Sequence, residues 1–484
     1  MKRAAALVFL ALGLVFPSAS SARESFVPTD PLVKYQYYLE QDHAFDAFGD
    51  TLPKLNPVNV AIIDSGLDIT HPEFPKKLVW AAKSFVNTPW SVDEQGHGTF
   101  VAGEIAAAID NGKGIAGIAF PAQLIIAKIA SADGSISVDA EAAAIRWSVD
   151  HGAQVINLSL GGVRDPLDPH DDTYSPEEAS ALQYAVRHNV VIVAAVGNSD
   201  EAPRSPWPWA SYPAALPHVI GVSALTESGN VASFSNRDAI YNDISAPGED
   251  IFSTLPLALT KQNPTCVDQG YSDCGPSDFR PADGTSFAAP QVAAAAALLL
   301  ALRPTLRADQ VSNILERSAT DVNSADGCLK CPGGRDAFTG WGRLDISKAV
   351  AALGEPLPPA DHFEPNDNAG SLAPVLPPAR RILKATLDYW DDPIDVYRFH
   401  LATGHSVSFA LKGPAGTTSK LVLWKPGTRS VMDLRHSNMK VAQTTGRGSL
   451  HRLSFRAQVP GWYYIEAKLV TRGFGQYTLS IKRT

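Results

Sequence analysis

Four residues in this 484-residue chain have side chains that could act together in nucleophilic catalysis. Asp64, His97 and Ser286 follow one another in that order, and Asn198 lies between the last two. Hydrolysis of an unactivated amide needs a nucleophile, a base that takes its proton, a group that orients the base, and donors for the oxyanion. Ser, His and Asp supply the first three, and the Asn amide supplies a donor. Each residue taken alone also has an ordinary interpretation as a cap or turn residue.

Each of these residues is expected at the end of a strand or at the start of a helix. Asp64 follows the apolar run VNVAII, and Asn198 follows VVIVAAVG. Parallel-sheet proteins place their sites at such carboxyl ends. His97 lies between two glycines, which allow close backbone approach, and both His97 and Ser286 stand where a helix is predicted to begin. A helix N-terminus beside Ser286 adds free N–H groups and a favourable dipole for negative charge.

The chain divides into an α/β part and an all-β part. In residues 58–353, continuous apolar strands such as LIIAKI and VINLSL alternate with helical stretches. This pattern predicts a mostly parallel sheet with helices on both faces. A Pro-rich linker follows at 354–362, and from 363–484 apolar and polar residues alternate, which predicts an antiparallel β-sandwich. Residues 23–57 form an N-terminal segment before the first domain.

The first 22 residues have the composition of a secretory signal. Lys2 and Arg3 form a basic head, residues 4–16 form an apolar run, and small residues follow. A membrane-spanning helix needs about 20 apolar residues, so this run is too short for an anchor. Residues 1–22 are therefore predicted to be a signal peptide, and the protein is predicted to be secreted. The later apolar stretch at 293–302 is predicted to be a buried helix and not a membrane span.

Charge is distributed unevenly between the two predicted domains. The whole chain has a formal net charge of −9, with 45% hydrophobic and 19% charged residues. This composition excludes wholesale disorder, and the net charge argues against general nucleic-acid binding. Residues 363–484 contain 17 Lys and Arg against 8 Asp and Glu, whereas residues 23–362 contain 22 against 42. A basic sandwich could dock on the acidic domain, or it could tether the protein to an anionic surface polymer, and both alternatives stay open.

Four cysteines fit an exported protein with local disulfides. Cys266 and Cys274 lie close together in the chain, as do Cys328 and Cys331. We expect two local pairs, each of which would stabilise its own loop more than the fold. A four-Cys zinc site built on the CxxC pair is the alternative, but the spacing of the other pair does not suit one.

Three motifs in a fixed order make the chain resemble the subtilisin-like serine proteases, the subtilases. The motifs surround Asp64, His97 and Ser286 and read AIIDSGLDITHPEF, GHGTFVAGEIAA and GTSFAAPQVAAAAALLL. VINLSLGG resembles the substrate-binding segment of that family, and AAVGN resembles its oxyanion segment. The resemblance covers residues 58–353 and implies a subtilisin-like sheet and peptidase activity.

The resemblance implies a role for each matched residue. Asp64 orients His97, His97 acts as general base and then as general acid, and Ser286 is the nucleophile. Asn198 and the backbone N–H of Ser286 form the oxyanion hole. The chemistry requires no cofactor and no catalytic metal. Substrate backbone is implied to pair, as an added strand, with Ser159, Leu160 and Gly161.

The preference for the side chain before the scissile bond, P1, is left open by the sequence. Small residues at Ser211 and Ala214 favour a medium or large apolar side chain. Asp200 and Glu201, which follow the oxyanion segment, would instead attract a basic one.

Structural calcium and an N-terminal pro-domain are common among subtilases. The loop at 109–114, with Glu73 as an extra ligand, lies where relatives bind calcium. Lys113 in the middle of that loop argues against full retention of the site, and a solvated turn is the alternative. The segment 23–57 is too short for a full pro-domain, so we expect this enzyme to fold without one.

Residues 363–484 resemble the bacterial pre-peptidase C-terminal domain. The matching features are FEPND at its start, DDPIDVYRF on an early strand and GWYYI near its end. Related domains can bind calcium through the first of these motifs, here Glu364, Asn366 and Asp367. A cap at the start of a strand is the alternative.

Two functions of different classes are compatible with these patterns. The first is an active, secreted serine endopeptidase that hydrolyses polypeptides through an acyl-enzyme. The second is an inactive protease scaffold that acts as a surface-binding protein through its C-terminal sandwich. Inactive relatives of enzymes usually lack at least one catalytic residue. Because Asp64, His97, Asn198 and Ser286 are all present, the sequence favours the first.

Overall fold

The computed structural model describes residues 25–261, 278–323, 328, 331–370, 373–378, 381–432 and 439–483. The predicted signal peptide and the predicted pair Cys266 and Cys274 lie outside the described residues.

The predicted catalytic domain is built around a parallel sheet. Its strands in the described residues are β1 Val58–Asp64, β2 Val79–Ser84, β3 Ala122–Lys128, β4 Val155–Leu158, β5 Val191–Ala195, β6 Val219–Leu225 and β7 Ile244–Pro247. They are hydrogen-bonded in the order β2-β3-β1-β4-β5-β6-β7, and every pairing is parallel. Because β1, β4 and β5 lie side by side, the residues that follow them meet at one edge of the sheet. The mostly parallel sheet predicted from the sequence is confirmed.

Helices cover both faces of this sheet. The helices of the described residues are α1 Tyr37–Gln41, α2 His97–Ala106, α3 Val138–Asp150, α4 Pro176–Arg187, α5 Leu257–Lys261, α6 Thr285–Leu302, α7 Ala308–Ser318 and α8 Ile346–Ala352. Alternate side chains of β1 divide between the two faces, as the strand period of two requires. Val60 and Ile62 join the core cluster that contains α2 and α6, whereas Ala61 and Ile63 join the one that contains α3 and α4.

Helix α6 runs through the core of this domain. Two short antiparallel strands, β8 Ile251–Thr254 and β9 Phe279–Ala282, precede it. The 18 residues of α6 are long and apolar enough to cross a membrane, but 89% of them are buried inside the protein. The apolar stretch at 293–302 is therefore part of a core helix, as predicted.

The C-terminal part of the chain forms two antiparallel sheets. Their strands are β10 Ile382–Asp388, β11 Ile394–Leu401, β12 Ser406–Lys412, β13 Ser419–Trp424, β14 Lys440–Gln443, β15 Leu450–Arg456, β16 Gly461–Leu469 and β17 Phe474–Arg483. One sheet has the order β10-β17-β12-β15, and the other has the order β11-β16-β13-β14. Alternating apolar side chains such as Phe399, Phe409 and Leu421 form one core cluster between the sheets. The predicted antiparallel β-sandwich is confirmed.

The sandwich contacts the catalytic domain through acidic residues. His218 Nε2 lies 2.9 Å from Glu364 Oε2 and 3.0 Å from Asp367 Oδ2, and Asn313 Nδ2 donates to Asp388 Oδ2 at 2.7 Å. Burial opposes the charged imidazolium, but the two carboxylates beside His218 raise its pKa well above the usual value. The positive excess of the sandwich is therefore not engaged at these contacts.

Cys328 and Cys331 are joined by a disulfide bond, as predicted for the second local pair. Both cysteines are buried and pack with Leu225 and Val322 beside the end of β6. The bond spans a separation of only 3 residues, so it stabilises one loop.

Candidate active site

The residues singled out in the sequence line one cleft at the carboxyl edge of the parallel sheet. The cleft has a volume of about 430 Å³. Strands β1, β4 and β5 and the starts of α2 and α6 all deliver residues to it. The predicted site residues that line it are Asp64, His97, Ser159, Leu160, Gly161, Asn198 and Ser286.

Asp64 and His97 form a close pair in this cleft. His97 Nδ1 lies 2.9 Å from both carboxylate oxygens of Asp64. The backbone N–H of Ser65 donates to Asp64 Oδ1 at 2.6 Å, and only 5% of Asp64 is exposed. Burial opposes protonation of His97, but the carboxylate of Asp64 outweighs burial and raises the pKa of His97 above its usual value. The imidazole is therefore both oriented and made more basic.

The two glycines beside His97 are required by the backbone. Gly96 precedes α2 with a φ of 84°, in the left-handed region that favours glycine. A Cβ on Gly98 would lie 2.3 Å from the carbonyl oxygen of Gly66. Only glycine allows α2 to approach the loop after β1 this closely, and this approach brings His97 to Asp64.

Asp93 organises the start of α2 and was not predicted from the sequence. Its Oδ1 accepts from the hydroxyl of Ser65 and from the N–H of Gly96, each at 2.8 Å. Its Oδ2 accepts from the N–H of Thr99 at 2.8 Å and from the Thr99 hydroxyl at 2.6 Å. This buried carboxylate joins the loop after β1 to the start of α2 through charge-assisted hydrogen bonds, which are stronger than neutral ones.

Lys128, the last residue of β3, lies beneath the same loop. Its ammonium group donates to the carbonyl oxygen of Ser65 at 2.6 Å and to that of Val92 at 2.7 Å, and it pairs with Glu94. The Lys128 side chain is fully buried. Because a buried ammonium is costly unless its hydrogen bonds are satisfied, these contacts hold the two loops around the candidate base in place.

Ser286 lies in the first turn of α6 and faces Ser159. Ser286 Oγ donates to the carbonyl oxygen of Ser159 at 3.1 Å, and Ser159 Oγ donates to the carbonyl oxygen of Ser286 at 2.6 Å. The ring of Phe287 packs against His97 with ring centroids 5.4 Å apart. The candidate nucleophile is therefore joined directly to the predicted substrate-binding segment, and its neighbour Phe287 contacts the candidate base.

Asn198 is held by Thr285, which the sequence analysis did not single out. Asn198 Oδ1 accepts from the N–H and from the hydroxyl of Thr285, both at 3.0 Å. The Thr285 hydroxyl in turn accepts from the N–H of Gly197 at 3.2 Å. Because Thr285 holds the oxygen end of the Asn198 amide, the NH2 end is left to act as a donor in the cleft.

Ser211 lies between the predicted substrate-binding segment at Gly161 and the predicted oxyanion segment at Gly197. A Cβ on Gly197 would lie 2.2 Å from Ser211 Oγ, and a Cβ on Gly161 would lie 3.1 Å from Ser211 Cβ. Only 7% of Ser211 is exposed, and its hydroxyl accepts from Asn236 Nδ2 at 3.4 Å. Ala214 is fully buried in a core cluster and offers no room in the cleft.

The rim of the cleft is acidic. Asp133, Glu201 and Asp283 line it, and no Lys or Arg does so among the described residues. Glu201 is exposed, and its carboxylate lies against the side chain of Asn198. Partial loss of water around the Glu201 carboxyl, together with the neighbouring Asp200, raises the pKa of this carboxyl, an effect that Asn198 opposes.

Comparison with known proteins identifies the family. The model described as "Subtilase family" matches residues 56–342, which is more than half of the chain. The chain belongs to the subtilase family. Its subtilisin-like fold and its class, the serine proteases, follow from this membership.

Two known proteases are similar to the catalytic domain of this subtilase. The cell wall-associated protease of Bacillus subtilis (strain 168) is 36% identical over 317 residues, which cover 62% of this chain and 31% of that protein. Subtilisin DY of Bacillus licheniformis is 34% identical over 272 residues, which cover 55% of this chain and 85% of that protein. The chain therefore spans most of the second relative but less than a third of the first.

A solved structure is similar over a larger share of this subtilase. The crystal structure of a lanthipeptide protease matches 68% of this chain and 99% of its own chain, with a TM-score of 0.54 and 25% identity. This likeness agrees with the subtilisin-like fold.

The loop at 109–114, for which the sequence left a calcium site and a solvated turn open, is closed by Asp30 in this subtilase. The Asp30 carboxylate accepts from the N–H groups of Asp110 at 2.7 Å, Asn111 at 2.9 Å and Gly112 at 3.1 Å. Burial and the nearby Asp30 raise the pKa of Glu73 to about 7. Because calcium takes oxygen ligands, the three N–H groups that face Asp30 add nothing to a cation site.

A second group of oxygens lies at the start of the sandwich. One carboxylate oxygen from each of Asp361, Glu364, Asp392 and Asp395 lies within 4.8 Å of the others. In the described residues, one oxygen of each of the last three and both ends of the fully buried Asn366 amide have no hydrogen-bond partner. Burial raises the pKa of Glu364 to about 7 and those of Asp392 and Asp395 well above their usual values. Such oxygens fit a hard cation such as calcium.

Proposed function

We propose that this subtilase is a secreted endopeptidase in which Asp64, His97 and Ser286 act as a catalytic triad on polypeptide substrates. One observation carries the proposal. The imidazole of His97, 2.9 Å from Asp64, lines the same cleft as a serine at the N-terminus of a buried helix. In this reaction Asp64 keeps the ring oriented and stabilises the imidazolium that forms.

Ser286 attacks the scissile carbonyl carbon while His97 takes its proton. The hydroxyl first leaves the carbonyl oxygen of Ser159, its partner in the free enzyme, and turns to His97 Nε2. The Oγ–C bond then forms, the C–N bond breaks, and His97 returns the proton to the leaving amine. Water hydrolyses the acyl-enzyme by the same route, with His97 again as the base.

Asn198 and the N–H of Ser286 stabilise the oxyanion. Thr285 fixes the oxygen end of the Asn198 amide, so the NH2 end is oriented before substrate arrives. The N-terminus of α6 adds a favourable dipole. Removal of one such preorganised donor costs about 3 kcal/mol of transition-state stabilisation in comparable sites.

Substrate backbone is proposed to add as a strand along Ser159, Leu160 and Gly161. The acidic rim favours a basic P1 side chain over the apolar alternative, because Asp133, Glu201 and Asp283 line the cleft and no Lys or Arg does so among the described residues. A lysine would lay its apolar stem along the wall of the cleft and keep its ammonium group at Glu201, as long basic side chains do on apolar surfaces.

A serine-directed fluorophosphonate tests the proposal against the alternative of an inactive, surface-binding scaffold. The wild-type chain should be labelled, because the reagent needs an activated nucleophile, and Ser286→Ala should not. The variant should also lose several orders of magnitude in peptidase rate. The Ser286 hydroxyl donates one hydrogen bond, to the carbonyl oxygen of Ser159, and loss of such a bond costs only about 1 kcal/mol, so circular dichroism should show the same fold. An unlabelled wild type, or equal labelling of Ser286→Ala, would reject the assignment.

Secretion and attachment to a surface complete the proposed function. The signal-like composition of residues 1–22 supports secretion, as does a relative whose name places it at the cell wall. The basic excess of residues 363–484 supports a tether to an anionic polymer. Contacts with the catalytic domain use acidic residues and leave this excess available.

We also propose a structural calcium ion at the start of the sandwich. Asp361, Glu364, Asp392 and Asp395 would hold it, together with the Asn366 amide oxygen. The ion would neutralise the negative charge of these clustered carboxylates, and no step of peptide hydrolysis depends on it. The fit is better here than at the loop that Asp30 closes.

A further inference from the structure

The outer face of the sheet β10-β17-β12-β15 carries charge of almost one sign. Side chains alternate along its strands, so buried Leu383, Phe409 and Leu479 face the core and their neighbours face outward. In the described residues, Asp388 is the acidic residue at an outward position, and it is buried against Asn313. The exposed basic residues at outward positions are Lys384, Lys412, Arg452, Arg456 and Lys482.

Strand register places these charges in adjoining rows. Lys384 lies opposite Thr478, and Thr478 lies opposite Lys412, so the two lysines share a row across three strands. Arg452 lies in the next row, opposite Ala410. Strands lie about 4.8 Å apart and alternate residues about 6.8 Å apart, so neighbouring charges are roughly 8 to 12 Å from one another. The charges therefore form a flat array.

Hydroxyl groups occupy the space between the basic side chains. The hydroxyls of Ser408 and Ser454 lie 2.8 Å apart on neighbouring strands, in the row of Lys482, and Ser480 and Thr478 lie in the next two rows on β17. Within the described chain, none of the five basic residues forms a salt bridge. The face therefore offers cations without internal counterions, set among hydroxyl groups.

The outer face of the other sheet is different in kind. On β11-β16-β13-β14, Val422, Trp424 and Tyr464 pack with Ala369 and Ala373 in a small apolar cluster. Glu466 on that sheet is buried and accepts from Trp424 Nε1 at 2.7 Å. Part of that face is covered, and a buried carboxylate lies on it, so the face with charge of almost one sign is that of the first sheet.

We propose that the outer face of β10-β17-β12-β15 binds a linear anionic polysaccharide. Its five basic residues pair with the charged groups of the polymer, and the serine and threonine hydroxyls hydrogen-bond to its sugars. This rests on the tethering part of the proposed function and names the surface and the ligand. Hydroxyl groups between the cations suit sugar hydroxyls, whereas single-stranded nucleic acid would call for aromatic rings on which bases stack.

Binding of dextran sulfate, with neutral dextran as the uncharged control, tests this assignment. The protein is the full chain with Ser286→Ala, which prevents self-digestion. Lys412→Gln/Lys482→Gln removes two charges from the face, and Lys420→Gln/Lys425→Gln removes two charges from the other sheet. We expect the first pair to weaken binding roughly tenfold or more at low salt. It should also reduce the slope of log affinity against log salt by about 2. The second pair should retain both values.

Each contrary result has a distinct meaning. If the Ser286→Ala chain does not bind dextran sulfate, the tether and the face both fail, although fluorophosphonate labelling of the wild type would still establish the peptidase. If both double variants lose the same affinity, binding depends on the charge of the whole domain, and its assignment to this one face is wrong. Tighter binding of a DNA duplex than of dextran sulfate at equal charge would overturn the assignment of a polysaccharide as the ligand.

Discussion

The protonation of His97 balances two opposing influences, burial and the carboxylate of Asp64. The carboxylate prevails, so the pKa of His97 lies above its usual value of about 6.5. Because only the neutral ring accepts a proton from Ser286, kcat/KM should rise with pH through a midpoint above 6.5 and stay high in the alkaline range. A profile measured from pH 4 to pH 10 checks this, and a maximum near pH 4 would contradict it.

Asp64→Asn provides the matched control for that profile. Without this carboxylate, burial is the largest remaining influence on the pKa of His97 and lowers it. The midpoint of the kcat/KM profile should therefore fall. The rate should fall as well, by about 10⁴-fold in comparable triads. A midpoint that does not move would show that another group titrates.

A single carboxylate, that of Glu201, is expected to set the preference for the P1 side chain. Glu201→Gln keeps the shape and removes the charge, and it should lower the ratio of kcat/KM for Lys over Leu at P1 by roughly tenfold. Glu227→Gln makes the same change at an exposed position outside the cleft and should keep the ratio. Peptides that differ only at P1 give the measurement, and a Leu preference in the wild type would refute the idea.

Among the elements, α2 depends on a partner outside itself. Asp93 accepts five hydrogen bonds, one from the loop after β1 and four from the residues at and just before the start of α2. Asp93→Asn replaces one acceptor oxygen by a donor and should lower the free energy of unfolding by about 2 to 4 kcal/mol. It should also reduce kcat, because His97 is the first residue of that helix. Urea unfolding and kcat are the measurements, with the exposed Asp168→Asn as the control, and wild-type values would refute the role.

Strands and helix starts could be predicted because their signals are local. Neighbouring residues alone predict these features. The apolar runs before Asp64 and Asn198 predict strand ends, and the glycines around His97 predict a close backbone approach. Asp93, Lys128 and Thr285 could not be found in this way. Their partners lie on other elements, and an aspartate or threonine in isolation is most often a cap. The close approach of Ser211 to both segments was missed for the same reason, because it depends on two glycines, Gly161 and Gly197, that lie far apart in the chain.

The whole molecule has a junction of carboxylates between its two domains. If calcium binds Asp361, Glu364, Asp392 and Asp395, then removing it with EDTA should lower the Tm of the sandwich. An ion at 100 times its Kd adds about 2.7 kcal/mol, which corresponds to several degrees. Asp395→Asn should abolish the difference between calcium and EDTA, whereas Asp168→Asn should preserve it. Scanning calorimetry of Ser286→Ala checks this, and identical Tm values in calcium and EDTA would exclude the ion.

Helix α6 has a consequence for how the enzyme survives its own chemistry. Ser286 begins a helix whose body is the core of the catalytic domain, with 89% of it buried. We expect the amides of such a helix to exchange with solvent hydrogen mainly through the larger openings of the domain, because core elements are the last to open. A molecule that still carries its nucleophile in place is therefore one whose core is closed. Partly opened molecules, whose exposed strands are the best substrates for self-digestion, are then also the molecules that have lost the means to digest.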